Sequence, residues 1–315
     1  MKYLFFDIEC SNCFDNIGKM CEFGYVLTDE NLKVLRSDDI PMSPGKGHDC
    51  RFNLTGRNHE KDLVLAYDHE FYYEQPEFPH FYKRIKNLIE DPDTICFAYS
   101  MANDIAHLYN SCNRYKLEPF NYICYDVQKF VAMYLEIKEQ MSLHNACKEI
   151  VGPNSIVRLH EHLSRDDAEM ERIIFAAICE LTKKLPSEVL SESESTKVNS
   201  MEYMHTLLER GKIRQENKKI RKHYFSLVAV DEVLDAPENK GKRYNVSSKL
   251  KKDKNKMSII EEFVKNNNYF FCGRIKQTDF FLVYDEDNRE ELLKGFKYPF
   301  EGKVLTYQEF LETIK

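Results

Sequence analysis

Along the chain, short apolar runs alternate with stretches in which apolar residues recur every three or four positions, the pattern of strands interleaved with helices. Tyr3-Leu4-Phe5-Phe6-Asp7-Ile8-Glu9 reads as a hydrophobic strand with two carboxylates at its end. The run from Cys96 turns polar at Tyr99-Ser100 and opens a helix, with Asp104 near its start and Leu108, Cys112 and Tyr115 on one side. A longer helix begins near Ser164, where Asp167 three residues on suggests a capping box. Ile173, Ile174, Ala177, Ile178 and Leu181 continue it at helical spacing. These elements predict an α/β domain over residues 1–185.

The pattern changes at Pro186. Residues 187–200 are rich in Ser and Glu and lack core periodicity, which predicts a linker. Met201, Met204, Leu207, Leu208 and Ile213 then fall at helical spacing with Lys218, Lys219, Arg221 and Lys222 near the end, so residues 186–240 read as linker and amphipathic helix. From 241 to 315, Tyr244–Ser247, Ile259–Lys265, Tyr269–Phe271, Phe280–Val283, Glu290–Lys294 and Val304–Ile314 form a strand-and-helix series that predicts a small α/β domain.

Residues i and i+2 of a strand share a face, so Asp7 and Glu9 present two hard oxygen ligands side by side, a pairing that suits Mg²⁺ or Mn²⁺. Asp167 falls in the first turn of its helix, where the macrodipole favours the ionised form. His162 stands on the loop before it, five positions upstream. His160 is the alternative base, and Asp166 reads as a solvated bystander. Cys10-Ser11-Asn12-Cys13, with Cys21 nearby, is a weak zinc candidate, because no second Cys pair follows at ribbon spacing.

Asp-x-Glu after a first strand, Asp104 in an Asp-x-x-x-Leu segment, and His-x-x-x-x-Asp opening a late helix together resemble the DEDDh family of 3′–5′ exonucleases, of which the epsilon subunit of DNA polymerase III is the familiar member. Cys21–Tyr25 as a second strand, Asp126 after Tyr122–Tyr125, and Ser142-Leu143 before Gly152 add weaker landmarks. The resemblance implies an RNase H-like mixed sheet flanked by helices, with Asp7, Glu9, Asp104 and Asp167 gathered at one end. They would hold two ions, Mg²⁺ or Mn²⁺, that clamp an in-line displacement at phosphorus, with His162 as general base. Tyr99-Ser100 and Cys10-Ser11-Asn12 stand where relatives have His-Asn and Thr-Thr-Gly, making Cys10, Ser11 and Ser100 candidate substrate contacts. The implied substrate is the 3′ end of single-stranded DNA. RNA trimming and a non-cleaving polymerase accessory scaffold are the alternatives. Thr278–Val283 and Lys303–Leu311 resemble the closing half of a BRCT domain, with Phe310 in place of its usual tryptophan and Asn266-Asn267-Asn268 in place of Gly-Gly. A polymerase or repair partner would dock there.

At 315 residues and 43% hydrophobic, the chain is long enough for one full domain and a smaller one. No signal peptide or membrane span is legible, and 10 scattered cysteines fit a reducing cytoplasm. The net charge of −7 divides into about −9 over residues 1–185 and about +2 over the remainder. The proposed site contributes to the acidity of the first part. The lysines 249, 251, 252, 254 and 256 in the second read as a solvated loop or as phosphate contacts.

Overall fold

Strand β1 (Lys2–Cys13) sorts its side chains by alternation. Leu4, Phe6 and Ile8 enter one core layer, whereas Tyr3 and Phe5 enter the other, and Asp7 and Glu9 continue the second face. The computed structural model describes residues 1–13, 17–45, 50–54, 61–155 and 157–314. The chain divides into two units, Met1–Leu207 and Leu208–Lys315.

In the first unit, β1 pairs antiparallel with β2 (Lys19–Asp29), which pairs antiparallel with β3 (Val34–Pro41). On its other side β1 pairs parallel with β4 (Thr94–Ala98), and β4 with β5 (Ile123–Asp126); β6 (Lys197–Asn199) closes that edge antiparallel. The order β3-β2-β1-β4-β5-β6 is the mixed, helix-flanked sheet that the resemblance implied.

One face is covered by α1 (Phe78–Ile89) and α2 (Ala102–Arg114), through Ile85, Ile89, Ile105, Leu108 and Cys112. The other is covered by α3 (Val127–Tyr134), α4 (Leu143–Ile150), α5 (Ser164–Thr182) and α6 (Pro186–Glu192). Phe97 binds that second layer: its ring stacks on Phe5 at 4.6 Å and lies 4.9 Å from Phe175 of α5.

Three expectations are corrected. Residues 187–200 are not a linker: α6 buries Val189 and Leu190, and β6 extends the sheet. The Ser200 hydroxyl bridges Tyr122 N–H and the Phe120 carbonyl, so the first unit continues through the start of α7 (Ser200–Leu227). The apolar stripe of α5 is rotated from that expected, because Leu181 is 54% exposed and Glu171 is fully buried. Finally, Ser164 forms no capping box; its hydroxyl is buried without a partner, and its N–H donates to Glu22 Oε1 at 2.6 Å.

The second unit is an all-parallel sheet of β7 (Arg243–Val246), β8 (Phe270–Phe271), β9 (Phe280–Val283) and β10 (Lys303–Thr306), in the order β8-β7-β9-β10. α8 (Lys254–Asn266) crosses from β7 to β8, α9 (Arg289–Lys294) from β9 to β10, and α10 (Tyr307–Thr313) closes the unit. The expected segment Val304–Ile314 is split between β10 and α10. Ile260, Val264 and Phe310 pack together in its core.

Gly24 sits opposite Asp7 on β2, where the first turn of α5 crosses the sheet. A Cβ there would stand 2.0 Å from the backbone of Ser164 and Arg165. Only glycine permits this approach. Gly24→Ala is expected to destabilise the protein by about 3 kcal/mol, the upper range for overpacking, and to displace α5. Urea unfolding checks the stability, and a change below about 1 kcal/mol would contradict the contact.

Candidate active site

Three structural elements bring four acids to one end of the first sheet. β1 supplies Asp7 and Glu9 just before its register shifts at Glu9/Cys10, a bulge of the kind that re-aims side chains beside sites. Asp104 lies buried in the first turn of α2, and Asp167 buried in the first turn of α5. Glu9, His162 and Asp167 each place a ligand atom within 4.8 Å of the others. Asp7 and Asp104 lie beside this group without joining it at that spacing, close enough for their charges to be felt.

Electrostatics record the crowding. Burial, followed by the charges of Asp104, Asp167 and Glu9, pushes Asp7 well above the usual carboxylate range. Burial raises Asp104 to about 8, with Glu9 adding to the effect. Asp167 rises to about 7 for the same first reason, while the His162 N–H holds it down. His162 is itself raised, chiefly by its hydrogen bond to Glu9.

His162 adopts φ 68°, in the left-handed region that costs a non-glycine residue free energy. Two contacts fix it: its N–H donates to Asp167 Oδ2 at 3.1 Å, and Nδ1 lies 3.3 Å from Glu9 Oε1. The backbone thus ties the imidazole to one acid and the ring to the other. His160 is exposed, and its N–H donates to Asp166 Oδ2 at 2.9 Å. Asp166 is not the solvated residue expected: it is buried, and Arg165 pairs with it.

Sequence reasoning missed two acids. Glu171, one turn after Asp167, is fully buried; Oε1 accepts from Tyr99 N–H at 2.9 Å and Oε2 has no partner. Burial, then Asp7 and Asp104, holds it well above its normal range. A charged residue at i+4 from Asp167 was the available signal, lost because the stripe was phased one position off. Glu22, opposite Glu9, accepts from Tyr72 Oη at 2.6 Å and from Ser164 N–H. Burial takes it up to about 8. Its place in an apolar strand was the only sign.

Asp126, known from sequence only as a landmark, caps α3 and accepts from Ser100 N–H at 3.1 Å, steadying the left-handed turn at Ser100 (φ 58°) that leads into α2. Of the expected substrate contacts, Cys10 and Ser100 are half-buried. Ser11 is buried with its hydroxyl on the Lys19 carbonyl, which removes it from an open surface. The Cys13 side chain of the zinc candidate lies outside the described residues. Cys21 is buried, with Sγ 3.4 Å from the Glu9 carbonyl.

The donor set fits a hard divalent cation: several carboxylate oxygens, one imidazole, and a buried carboxylate oxygen with no partner. Like charges this close in a poorly hydrated site need protons or a cation to coexist. No helix is long and apolar enough to cross a membrane among the described residues.

No protein-family model and no curated protein matches the chain. Among solved structures, it is similar to Escherichia coli exonuclease I in complex with a dA16 oligonucleotide, at 15% identity over 59% of this chain and 42% of that one, with a TM-score of 0.46. The nuclease domain of 3′hExo, a DEDDh family member bound to rAMP, aligns at 14% identity over 59% of this chain and 94% of that one, with a TM-score of 0.44. A 3′-exonuclease in 3′-end specific recognition of a histone mRNA stem-loop aligns at 12% identity over 59% and 65%, with a TM-score of 0.45. The chain therefore spans less than two thirds of exonuclease I and of the histone-mRNA exonuclease. Likenesses this distant carry nothing about the site, whose geometry must speak for itself.

A raised carboxylate pKa means that the fold prefers the protonated form. Its stabilisation is full below the unfolded value near 3.8 and is lost as pH rises through the folded values, about 7 for Asp167 and about 8 for Asp104. In chelator, the melting temperature is expected to fall between pH 5 and pH 8, and Mg²⁺ or Mn²⁺ at pH 8 to restore it. Asp104→Asn should flatten the slope. Melting curves that rise over this range and ignore the cation would contradict the reading.

Proposed function

We propose that the first unit is a metal-dependent 3′–5′ exonuclease that hydrolyses phosphodiester bonds at the 3′ ends of single-stranded DNA and releases nucleoside 5′-monophosphates. The observation that carries this reading is the grouping of Glu9, His162 and Asp167 donor atoms within 4.8 Å, with half-buried Asp7 and buried Asp104 alongside. Paired acids without a histidine would suit structural cation binding. The imidazole adds a base.

Asp7, Glu9, Asp104 and Asp167 would hold two divalent ions, Mg²⁺ or Mn²⁺. When bound, such ions lower the pKa of water and offset charge at the phosphate. The chain supplies the rest. With Glu9 ionised, Nδ1 of His162 carries the proton and donates to Oε1, which leaves Nε2 as the basic nitrogen. His162 is half-exposed on its turn, so Nε2 can take the proton of an attacking water. Glu9 also holds the imidazolium that results. Glu171 and Asp126 act at a distance from the reaction by fixing Tyr99 and Ser100, hence the entry of α2 and the place of Asp104.

For the second unit, the order β8-β7-β9-β10 in an all-parallel sheet supports the BRCT-like reading of residues 241–315.

The test is digestion of 5′-labelled single-stranded DNA and RNA with Mg²⁺, with Mn²⁺ and with chelator. Stepwise 3′ shortening that needs metal is expected, with DNA the faster substrate. His162→Ala should lower kcat by about 10²–10⁴, the usual share of general-base catalysis. Asp7→Ala or Asp167→Ala should abolish cleavage. Metal-dependent activity left intact by these acid substitutions would overturn the assignment.

A further inference from the structure

A cavity lies wholly inside the second unit, far along the sequence from the acids. Its volume is about 430 Å³, and it opens between the last turns of α7 and the turn that follows β7. Its walls carry Arg221, Tyr224 and Phe225 from α7, and Ser248, Lys251 and Lys252 from the turn. The α7 positions are three and four residues apart, so they share a helix face. The turn leaves the carboxyl end of β7, whose connection leads to β8 on one side, while its other neighbour β9 leads on to β10 on the opposite side, so the carboxyl ends of β7 and β9 flank the switch point of the sheet. Parallel sheets bind ligands at such switch points, outside the carboxyl ends of their strands.

The cavity has cations and no counter-charge. Lys251 Nζ rests 3.6 Å from the centroid of Tyr224, and the Arg221 guanidinium 5.5 Å from that of Phe225. Among the described residues, neither forms an ion pair, nor does Lys252. The neighbouring lysines of the same run behave differently, since Lys249 pairs with Asp287 and Lys256 with Asp285. Burial, and then proximity to Arg221, pulls the Lys251 amine down to about 8. Tyr224 is buried and rigid, its hydroxyl donating to Asn245 Oδ1 and the Cys272 carbonyl, each at 3.0 Å. The fold therefore keeps two cations together over a fixed aromatic wall at an electrostatic cost that an anion would remove.

The surroundings select the kind of anion. Between residues 210 and 222, α7 carries seven Lys or Arg against a single Glu216, and residues 208–315 sum to about +5, opposite in sign to the first unit. Such a row matches a polyanion better than a solitary phosphate. Beside it Phe225 is 51% exposed, offering a ring face on which a base can stack.

We propose that this cavity is a binding site for single-stranded nucleic acid, in which Arg221 and Lys251 hold one backbone phosphate and Phe225 stacks an adjacent base. The site is independent of the exonuclease reading. It requires no divalent ion and would stand if the acids proved non-catalytic.

The test is fluorescence anisotropy of the full chain with a labelled single-stranded oligonucleotide in chelator, over a series of salt concentrations. The doubly substituted Arg221→Gln, Lys251→Met variant should bind at least tenfold more weakly, with a salt slope shallower by about 1. Phe225→Ala should lose about tenfold. Lys251→Met retains the stem against Tyr224; if it nonetheless unfolds, Arg221→Glu at an exposed position carries the same expectation. Unchanged affinity and slope in folded variants would overturn the proposal. So would variants that retain DNA binding but lose binding of a phosphoserine peptide, which would assign the cavity to phosphopeptides.

Discussion

The structure is organised around carboxylates that have been denied water and brought within reach of one another. Asp7, Asp104, Asp167, Glu171 and Glu22 are all pushed upward by burial before any neighbour is counted. Isolated charges in such places cost several kcal/mol each. The fold bears this load because backbone N–H groups are spent on it: Ser164, His162, Tyr99 and Ser100 each donate to an acid rather than to a helix or strand. Two of those donors belong to left-handed residues, so the acids also stabilise the turns that deliver them.

That reciprocity explains why remote features matter. Gly24 permits α5 to cross β2; the crossing places Ser164 on Glu22 and Asp167 next to Glu9. The aromatic stack of Phe5, Phe97 and Phe175 sets the height of α5 over the sheet immediately below the acids. Hydrophobic packing supplies the rigidity, and the polar end of the same layer uses it.

Much of this was legible in the sequence. Alternation along β1 placed Asp7 and Glu9 on one face, and the helix starts placed Asp104 and Asp167, because each lies where a local rule is strong. The misses have physical causes. Leu181 and Ile173 drew the α5 stripe toward the outside, which hid Glu171 on the buried face. Residues 187–200 looked like a linker because β6 has only three residues and its partner β5 lies some 70 positions earlier, a pairing no local pattern records. Asp166 is buried through Arg165 and the His160 N–H, a tertiary arrangement without sequence periodicity. In the second unit, the elements were visible but the parallel order that defines its switch point was not.

The central claim is that the gathered acids exist to hold divalent cations. Anomalous diffraction from crystals soaked in Mn²⁺ tests it most directly. Manganese peaks are expected bounded by Asp7, Glu9 and Asp167, with Asp104 facing them and His162 at the margin. An acid cluster free of manganese in well-soaked crystals at pH 8, with ions bound elsewhere, would contradict it.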